Sequence, residues 1–412
     1  MTLETPDRRS FLRAAAASAA GAALLPRALA RGARCHELSA EGGKNLVLLQ
    51  LSGGNDGLAT VVPHGDDELR RVRRTTVHRT SELLRLDQYR GLNPGLTALR
   101  ERFDDGQVAI VEGCGYPDQI RSHFRSYEVW HTGRRAGRIS GDGWIGRLAA
   151  AGWSDEPLPD RVVHFGTKAP YSLFSREQPA VSLASPTGYR WFGDDEAYAR
   201  GGTAICEHEM ERDPRHRGRD AALARLRLTL DDARASSARI RGASASYRTE
   251  VEYPRTRISA ELRDVAALVN ARSGTRVFSV TDSGYDTHSG QRQSHDRKMR
   301  ELDEALGAFL TDLERSEAGR ETVVLVYSEF GRRVVENGSS GHDHGKAGPM
   351  FVLGHAVKGG LHGEHPSLTS LDEGDLVFTT DFRSVYATLI DGLFGVDPAL
   401  VLGAEFPRLP LV

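Results

Sequence analysis

Cysteine is scarce in this chain of 412 residues. Cys35, Cys114 and Cys206 are the whole set, too few for a disulfide scaffold, although a single Cys114–Cys206 bridge stays open. Lysine is also rare, and the basic residues are nearly all arginine, which reads as a compositional bias. An excess of charge is missing too. The 54 Lys and Arg against 56 Asp and Glu leave a formal charge of −2, which gives no reason to expect nucleic acid or an anionic membrane as partner. Beyond the first thirty residues no stretch is long and apolar enough to cross a bilayer, so no permanent membrane anchor is expected.

What is present begins with a leader. Asp7-Arg8-Arg9-Ser10-Phe11-Leu12-Arg13 is a twin-arginine pattern, an alanine-rich stretch runs from Ala14 to Leu25, and Ala28-Leu29-Ala30 is a small-residue cleavage site. These three features in order read as a signal peptide over 1–30. They imply engagement of the twin-arginine translocase and a periplasmic or extracellular product. Ala33-Arg34 before Cys35 makes a poor lipoprotein box, so the product is expected to be soluble. The remaining length, 31–412, suffices for one large α/β domain or two ordinary ones.

Several short apolar runs end in Gly, Ser or Asp: NLVLLQLSGG (45–54), QVAIVEG (107–113), RVVHFG (161–166), TRVFSVTDSG (275–284), ETVVLVYSEFG (321–331) and PMFVLG (349–354). Runs that are continuous rather than alternating mark strands buried on both faces, hence a mostly parallel sheet covered by helices. Ile258, Leu262, Val265 and Val269 share one helical face. Met299, Leu302, Leu306, Phe309, Leu310 and Leu313 share another between Ser294 and Glu314. Phe382, Val385, Leu389 and Leu393 predict a last helix stopped at Gly395. The pattern is that of a doubly wound α/β domain. The stretch from about 193 to 253, rich in Arg, Asp, Ala and Ser, reads as a helical insertion on its surface.

In an open parallel sheet, ligands sit beyond the carboxyl ends of the strands. Those ends carry the chemistry here. The first run is followed by SGGNDG with Asp56, and the run at Thr275 by DSGYDTH with Asp282, Asp286 and His288. The run at Glu321 ends in SEFGRR with Glu329, Arg332 and Arg333, and GHDHG then supplies His342, Asp343 and His344. Mixed carboxylate and imidazole donors suit zinc, manganese or magnesium rather than a thiolate zinc site, and they are numerous enough for two ions. Each residue also has a plainer role. Asp56 fits a turn, Asp286 and His288 fit a helix cap, and Arg332 could neutralise Glu329. His362 and His365, among Gly-Gly and Pro, read as an exposed turn. After the run at 107–113, Arg121, Ser122 and His123 lie at a fifth strand end where a helix begins. Ser122 is there either a nucleophile, with His123 as its base, or an ordinary N-cap.

Taken together, the leader, LLQLSGGNDGL, RSHF, HTG, GWIGR, GYDTH, SEFGR, GHDHG and TDFRSVYATLIDGLFGVDP resemble the domain of unknown function 1501 family over nearly the whole chain after the leader. That family is similar in fold to the alkaline phosphatase and sulfatase superfamily. The resemblance implies a metal site at the carboxyl edge of the sheet, with Asp56, Asp286, His288, Glu329, Asp343 and His344 as ligands and Ser122 near the nucleophile's place. The chain departs from the superfamily at several points: Glu329 replaces the aspartate of a Ser-Asp-His-Gly strand end, and Ser122 lies about one residue off the sulfatase register. Asp286 and His288 are spaced Asp-x-His rather than Asp-x-x-x-His, Phe330 stands where a histidine ligand is expected, and the Cys-x-Pro-Ser-Arg sulfatase signature is missing.

Two readings follow. In the first, the chain is an exported metal-dependent hydrolase of phosphate, sulfate or related esters, small or polymeric, with Arg121 or Arg332 binding substrate oxygens. In the second, it is a non-catalytic exported protein that keeps the fold and one structural ion and serves a protein partner.

Overall fold

The computed structural model describes residues 43–135, 141–153, 158–178, 180–190 and 217–412. The leader expected over 1–30, Cys35 and Cys206 lie outside the described residues. Strand β1 (Asn45–Ser52) passes through a glycine turn into the short helix α1 (Gly57–Thr60). Strands β2 (Val61–Val62), β3 (Leu84–Arg85) and β4 (Gly91–Leu92) form a small side sheet around α2 (Asp67–Val72). Next come α3 (Thr97–Asp104), β5 (Val108–Gly115), α4 (His123–Thr132) and α5 (Trp144–Trp153). They are followed by β6 (Val162–Phe165), β7 (Val181–Leu183), α6 (Arg217–Ser246) and α7 (Arg257–Asn270). β8 (Val277–Ser283), α8 (Gln291–Leu313), α9 (Glu317–Arg320) and β9 (Thr322–Tyr327) continue the alternation.

The last part holds β10 (Gly348–Leu353), β11 (Gly360–His362), the hairpin β12 (Leu371–Asp372) and β13 (Asp375–Leu376), then β14 (Thr380–Asp381). Helices α10 (Phe382–Phe394) and α11 (Pro398–Leu402) follow. Among the described residues, nine strands form the main sheet in the order β11-β5-β10-β9-β1-β8-β6-β7, with β14 also on β5. β1 is parallel to β8 and β9, and β6 to β7 and β8. β11 and β14 are parallel to β5. Only β10 runs against its neighbours, β5 and β9. This mostly parallel α/β sheet matches the expectation from the apolar runs.

Both faces of the sheet are covered, which is why the runs are continuous. In β1, Val47, Leu49 and Leu51 enter one core cluster while Leu46 and Leu48 enter the other. The first cluster takes Leu99 from α3, Leu262 and Val265 from α7, and Met299, Leu306 and Phe309 from α8. The second takes Trp130 from α4, Trp144 from α5, and Val385, Tyr386 and Leu389 from α10. Each fully buried aliphatic side chain is worth about 1.5–3 kcal/mol relative to exposure, so the central strands are fixed strongly from both sides. Thr256 caps α7 by accepting from Ser259 N, and Gly395 ends α10 in the left-handed region at φ 62°.

A helical insertion was expected over about 193–253. Its segment 193–216 lies outside the described residues. The rest is the long helix α6, and Ile240 and Ala243 on it are buried in the core cluster that α7 also builds. That end of α6 is therefore a packed element and not a surface addition. Cys114 is a buried thiol on β5.

Candidate metal centre at the carboxyl edge

The strand polarity explains how distant loops meet. The carboxyl ends of β1, β8 and β9 lie at one edge, and because β10 is antiparallel, the loop that precedes it reaches the same edge. A short ladder secures that loop: Gly331 N donates to Lys346 O (2.7 Å), Gly345 N to Gly331 O (2.9 Å) and Arg333 N to Asp343 O (3.0 Å). Glycine is required in the turn after β1. Gly53 has φ 122°, and a Cβ there would come within 2.5 Å of Asp286 N; at Gly54, φ 75°, it would strike the Phe330 ring at 2.3 Å.

His123, Asp286 and His344 each offer a ligand atom, all within 4.8 Å of one another. His288 joins them. Its Nε2 lies 3.0 Å from Asp286 Oδ1 and 3.0 Å from His344 Nε2. His344 Nε2 is 3.2 Å from the same Asp286 oxygen, and His123 Nε2 is 3.7 Å from Asp286 Oδ2.

The other nitrogen of each ring faces an acceptor. His123 Nδ1 is 2.7 Å from Glu329 Oε1, His288 Nδ1 is 3.1 Å from Asp343 Oδ1, and His344 Nδ1 is 3.1 Å from the carbonyl of Arg121. In the tautomer with the ring proton on Nδ1, toward these acceptors, each ring presents its Nε2 lone pair to the Asp286 carboxylate. Three lone pairs then converge on one carboxylate. Three imidazole nitrogens and one carboxylate facing each other form a donor set that a divalent cation fits.

Glu329 is fully buried and serves this cluster from behind. It accepts from Gly53 N (2.9 Å) as well as from His123. Burial pushes its carboxyl pKa up, but the hydrogen bonds from His123, Tyr127 and the backbone bring it below the ordinary value. The same bond raises the pKa of His123. Tyr127, one helical turn after His123, bonds to Ser52 Oγ at 2.6 Å. Phe330 fills no ligand position. Its ring packs 4.8 Å from both His123 and His344, which fixes their planes.

Arg332 holds Asp286. Its buried guanidinium donates to Asp286 Oδ1 (2.6 Å), Gly54 O (2.7 Å), His342 O (2.9 Å), Tyr285 O (3.2 Å) and Gly53 O. Arg332 is wholly buried, so its guanidinium is not open to a substrate oxygen. Burial raises the Asp286 pKa, but Arg332, His288 and His344 together bring it below the ordinary value. Burial and the charges of Arg332 and His123 lower that of His344. Asp286, His288 and Asp343 are about half exposed, so the cluster opens to solvent.

The remaining expected residues are placed elsewhere. Asp56 does not reach the cluster. It is wholly buried, its two oxygens accept from Arg73 at 2.9 and 2.7 Å, and it caps α1 through Ala59 N (3.1 Å) with Gln291 Nε2 at 2.5 Å. A guanidinium stands where a metal ion was expected. Glu329 orients a ring rather than facing the common centre, and Asp343 likewise orients His288. His342 is buried against Thr76 Oγ1 (2.9 Å), and desolvation pushes its pKa down to about 4. Asp282 is taken by Lys298 (2.8 Å) and Tyr285 (2.8 Å).

Arg121 turns its side chain to Asp375 and Glu373, both at 3.1 Å, and contributes to the cluster through its carbonyl. Ser122 is the N-cap residue of α4 by backbone conformation, but its hydroxyl makes no cap hydrogen bond. His365, expected in an exposed turn, is mostly buried and bonds Glu112 Oε1 at 2.7 Å.

Comparison with known proteins finds no match among curated proteins. Solved structures resemble the chain at low identity. A protein in the alkaline phosphatase superfamily from Vibrio parahaemolyticus is 13% identical with a TM-score of 0.40, over 89% of this chain and 71% of that one. The PsFucS1 sulfatase from Pseudoalteromonas sp. is 10% identical with a TM-score of 0.39, over 92% and 73%. The C-terminal periplasmic domain of EcEptC from Escherichia coli is 10% identical with a TM-score of 0.40, over 90% of each chain. The family model described as "Protein of unknown function (DUF1501)" matches residues 112–401, a span that holds His123, Asp286, His288, Glu329 and His344. With most of its length and its whole histidine cluster inside that match, the chain belongs to the DUF1501 family.

Proposed function

We propose that this protein is an exported metal-dependent hydrolase of phosphate, sulfate or related esters, with one divalent ion held by Nε2 of His123, His288 and His344 and by the carboxylate of Asp286. One observation carries the reading: three imidazoles whose Nδ1 atoms face Glu329, Asp343 and the Arg121 carbonyl turn their Nε2 atoms toward one carboxylate. A donor set of three nitrogens and one oxygen fits zinc or manganese better than magnesium, which takes oxygen donors. When bound, such an ion supplies Lewis acidity, which draws charge from an ester oxygen and acidifies a nearby hydroxyl or water.

The chain's own groups do the rest. Glu329 orients His123 through Nδ1, Arg332 keeps Asp286 ionised, and Ser122, the residue before His123, starts α4. The helix N-terminus favours developing negative charge there. Export follows from Arg8-Arg9 and the cleavage site at Ala28-Leu29-Ala30; no helix among the described residues is long and apolar enough to cross a membrane. Metal analysis of purified protein, followed by hydrolysis of aryl phosphates and aryl sulfates with and without chelator, tests the reading. Metal-free protein that no divalent ion activates would overturn it.

A second reading keeps the ion but not the catalysis, as an exported binding protein with a protein partner. The commitment of Asp56 to Arg73 favours it, because a carboxylate expected to hold a second ion is spent on a buried ion pair. Asp286→Asn and His344→Ala separate the two: an enzyme loses turnover with its fold intact, whereas a binding protein loses its partner or its stability.

A further inference from the structure

Three cations border the cluster, each on a different segment, and one acidic hairpin occupies them all. Arg121 precedes Ser122 and His123, Arg333 follows Arg332, and Lys346 stands two residues beyond His344. The contact of His344 Nδ1 with Arg121 O and the backbone bonds from Arg333 N to Asp343 O and from Gly331 N to Lys346 O hold these segments together beside the histidines. The hairpin of β12 and β13 turns at Glu373 and Gly374, with φ of 53° and 83°, the geometry of a tight two-residue turn. Around that turn Arg121 meets Glu373 and Asp375 at 3.1 Å each, and Arg333 donates to Glu373 O at 3.1 Å and lies 3.7 Å from Asp375. Lys346 meets Asp372 at 2.5 Å and Glu373 at 3.9 Å.

The three carboxylates are unequal. Asp375 is wholly buried and anchors the hairpin, whereas the side chains of Asp372 and Glu373 are 59% and 66% exposed. Lys346 and Arg121 are only 12% and 33% exposed, but the carboxylate ends of these pairs are open to solvent, where salt screens them and a multivalent anion can compete. A purely structural latch has no need of three cations drawn from the three segments that carry the cluster.

We propose that Arg121, Arg333 and Lys346 form a subsite for a second anionic group of the substrate, which Asp372 and Glu373 occupy until that group displaces them. The inference rests on the ester-hydrolase reading for the word substrate, and it narrows the class to esters bearing at least two anionic groups. The subsite itself is tested by binding alone. Calorimetric titration of the full chain with inorganic tripolyphosphate at low ionic strength compares wild type, Asp372→Asn/Glu373→Gln, and that double variant with Lys346→Gln added. Asp104→Asn/Glu317→Gln, two exposed carboxylates elsewhere, controls for net charge.

The double variant is expected to bind about tenfold tighter than wild type, the cost of two exposed competing pairs, and Lys346→Gln is expected to return it to the wild-type value. The charge control is expected to stay at that value, and the gain is expected to persist when His344→Ala removes a metal ligand. Equal affinity in wild type and double variant, an equal gain in the charge control, or a gain that vanishes with His344→Ala would each overturn the proposal. Absence of ester hydrolysis would instead count against the enzyme reading and leave these binding differences as they stand.

Discussion

Replacing Asp56 with Asn distinguishes a buried ion pair from a metal ligand. Asn keeps the shape and still caps α1 through Ala59 N, since Asn is as good a cap as Asp. What it removes is the charge facing Arg73, whose side chain is 1% exposed and whose other acceptors are the carbonyls of Val334 and Arg333. Breaking a buried pair by removing one partner costs about 3–5 kcal/mol, because the other charge is left uncompensated. The Asp56 carboxyl titrates well below the ordinary range: burial would raise it, but Arg73, His342 and His295 more than offset that. The sign follows. A depressed pKa stabilises the fold at every pH above the unfolded value and loses that contribution only in strong acid, so the full cost is expected at neutral pH. For the folded unit Gly43–Val412, an unfolding entropy of about 0.8 kcal/mol per kelvin converts this to a Tm lower by about 4–6 °C. Thermal unfolding by circular dichroism and calorimetric zinc titration of the same samples give both readouts. The structure predicts a large loss of stability with zinc affinity within about twofold of wild type. Unchanged Tm with zinc affinity lost would refute the reasoning and return Asp56 to the ligand set.

Three further outcomes follow from the same geometry. Glu329→Gln leaves His123 without its charged partner, and zinc affinity is expected to fall about 10–100-fold by calorimetry, as when other outer partners of metal-binding histidines are changed; unaltered affinity would mean that His123 is not a ligand. His131, His164 and His295 are buried, and desolvation lowers each pKa to about 4. The unfolded chain therefore binds more protons between about pH 4 and 6.5, and each histidine is expected to remove about 2 kcal/mol of stability between pH 7 and 5; urea midpoints that stay flat or rise on acidification would contradict this. Arg8→Lys/Arg9→Lys is expected to retain the protein in the cytoplasm in a fractionation assay, and undiminished export would remove the twin-arginine assignment.

Much of the sheet was legible because burial on both faces writes itself as unbroken apolar runs, as in Leu46–Leu51 and Val323–Tyr327. The short strands β7, β11 and β14 were not, since two or three residues carry no periodic signal. Asp286, His288 and His344 could be singled out because strand ends collect ligands. Asp56 fits the same rule, but no sequence pattern announces that Arg73, seventeen residues on, will claim it. The division between a residue that faces the centre and one that holds it, Glu329 behind His123 or Asp343 behind His288, depends on ring orientation, which spacing does not encode. Tyr127 had a weak signal, one helical turn from His123. The hairpin at 371–376 had none beyond its acidic turn, because the cations it meets come from three separate segments.

Anomalous diffraction from crystals grown with zinc tests the central claim most directly. One strong peak per chain is expected, within bonding distance of Nε2 of His123, His288 and His344 and of the Asp286 carboxylate. A cluster without a peak, or a peak beside Asp56 with Arg73 swung away, would contradict it.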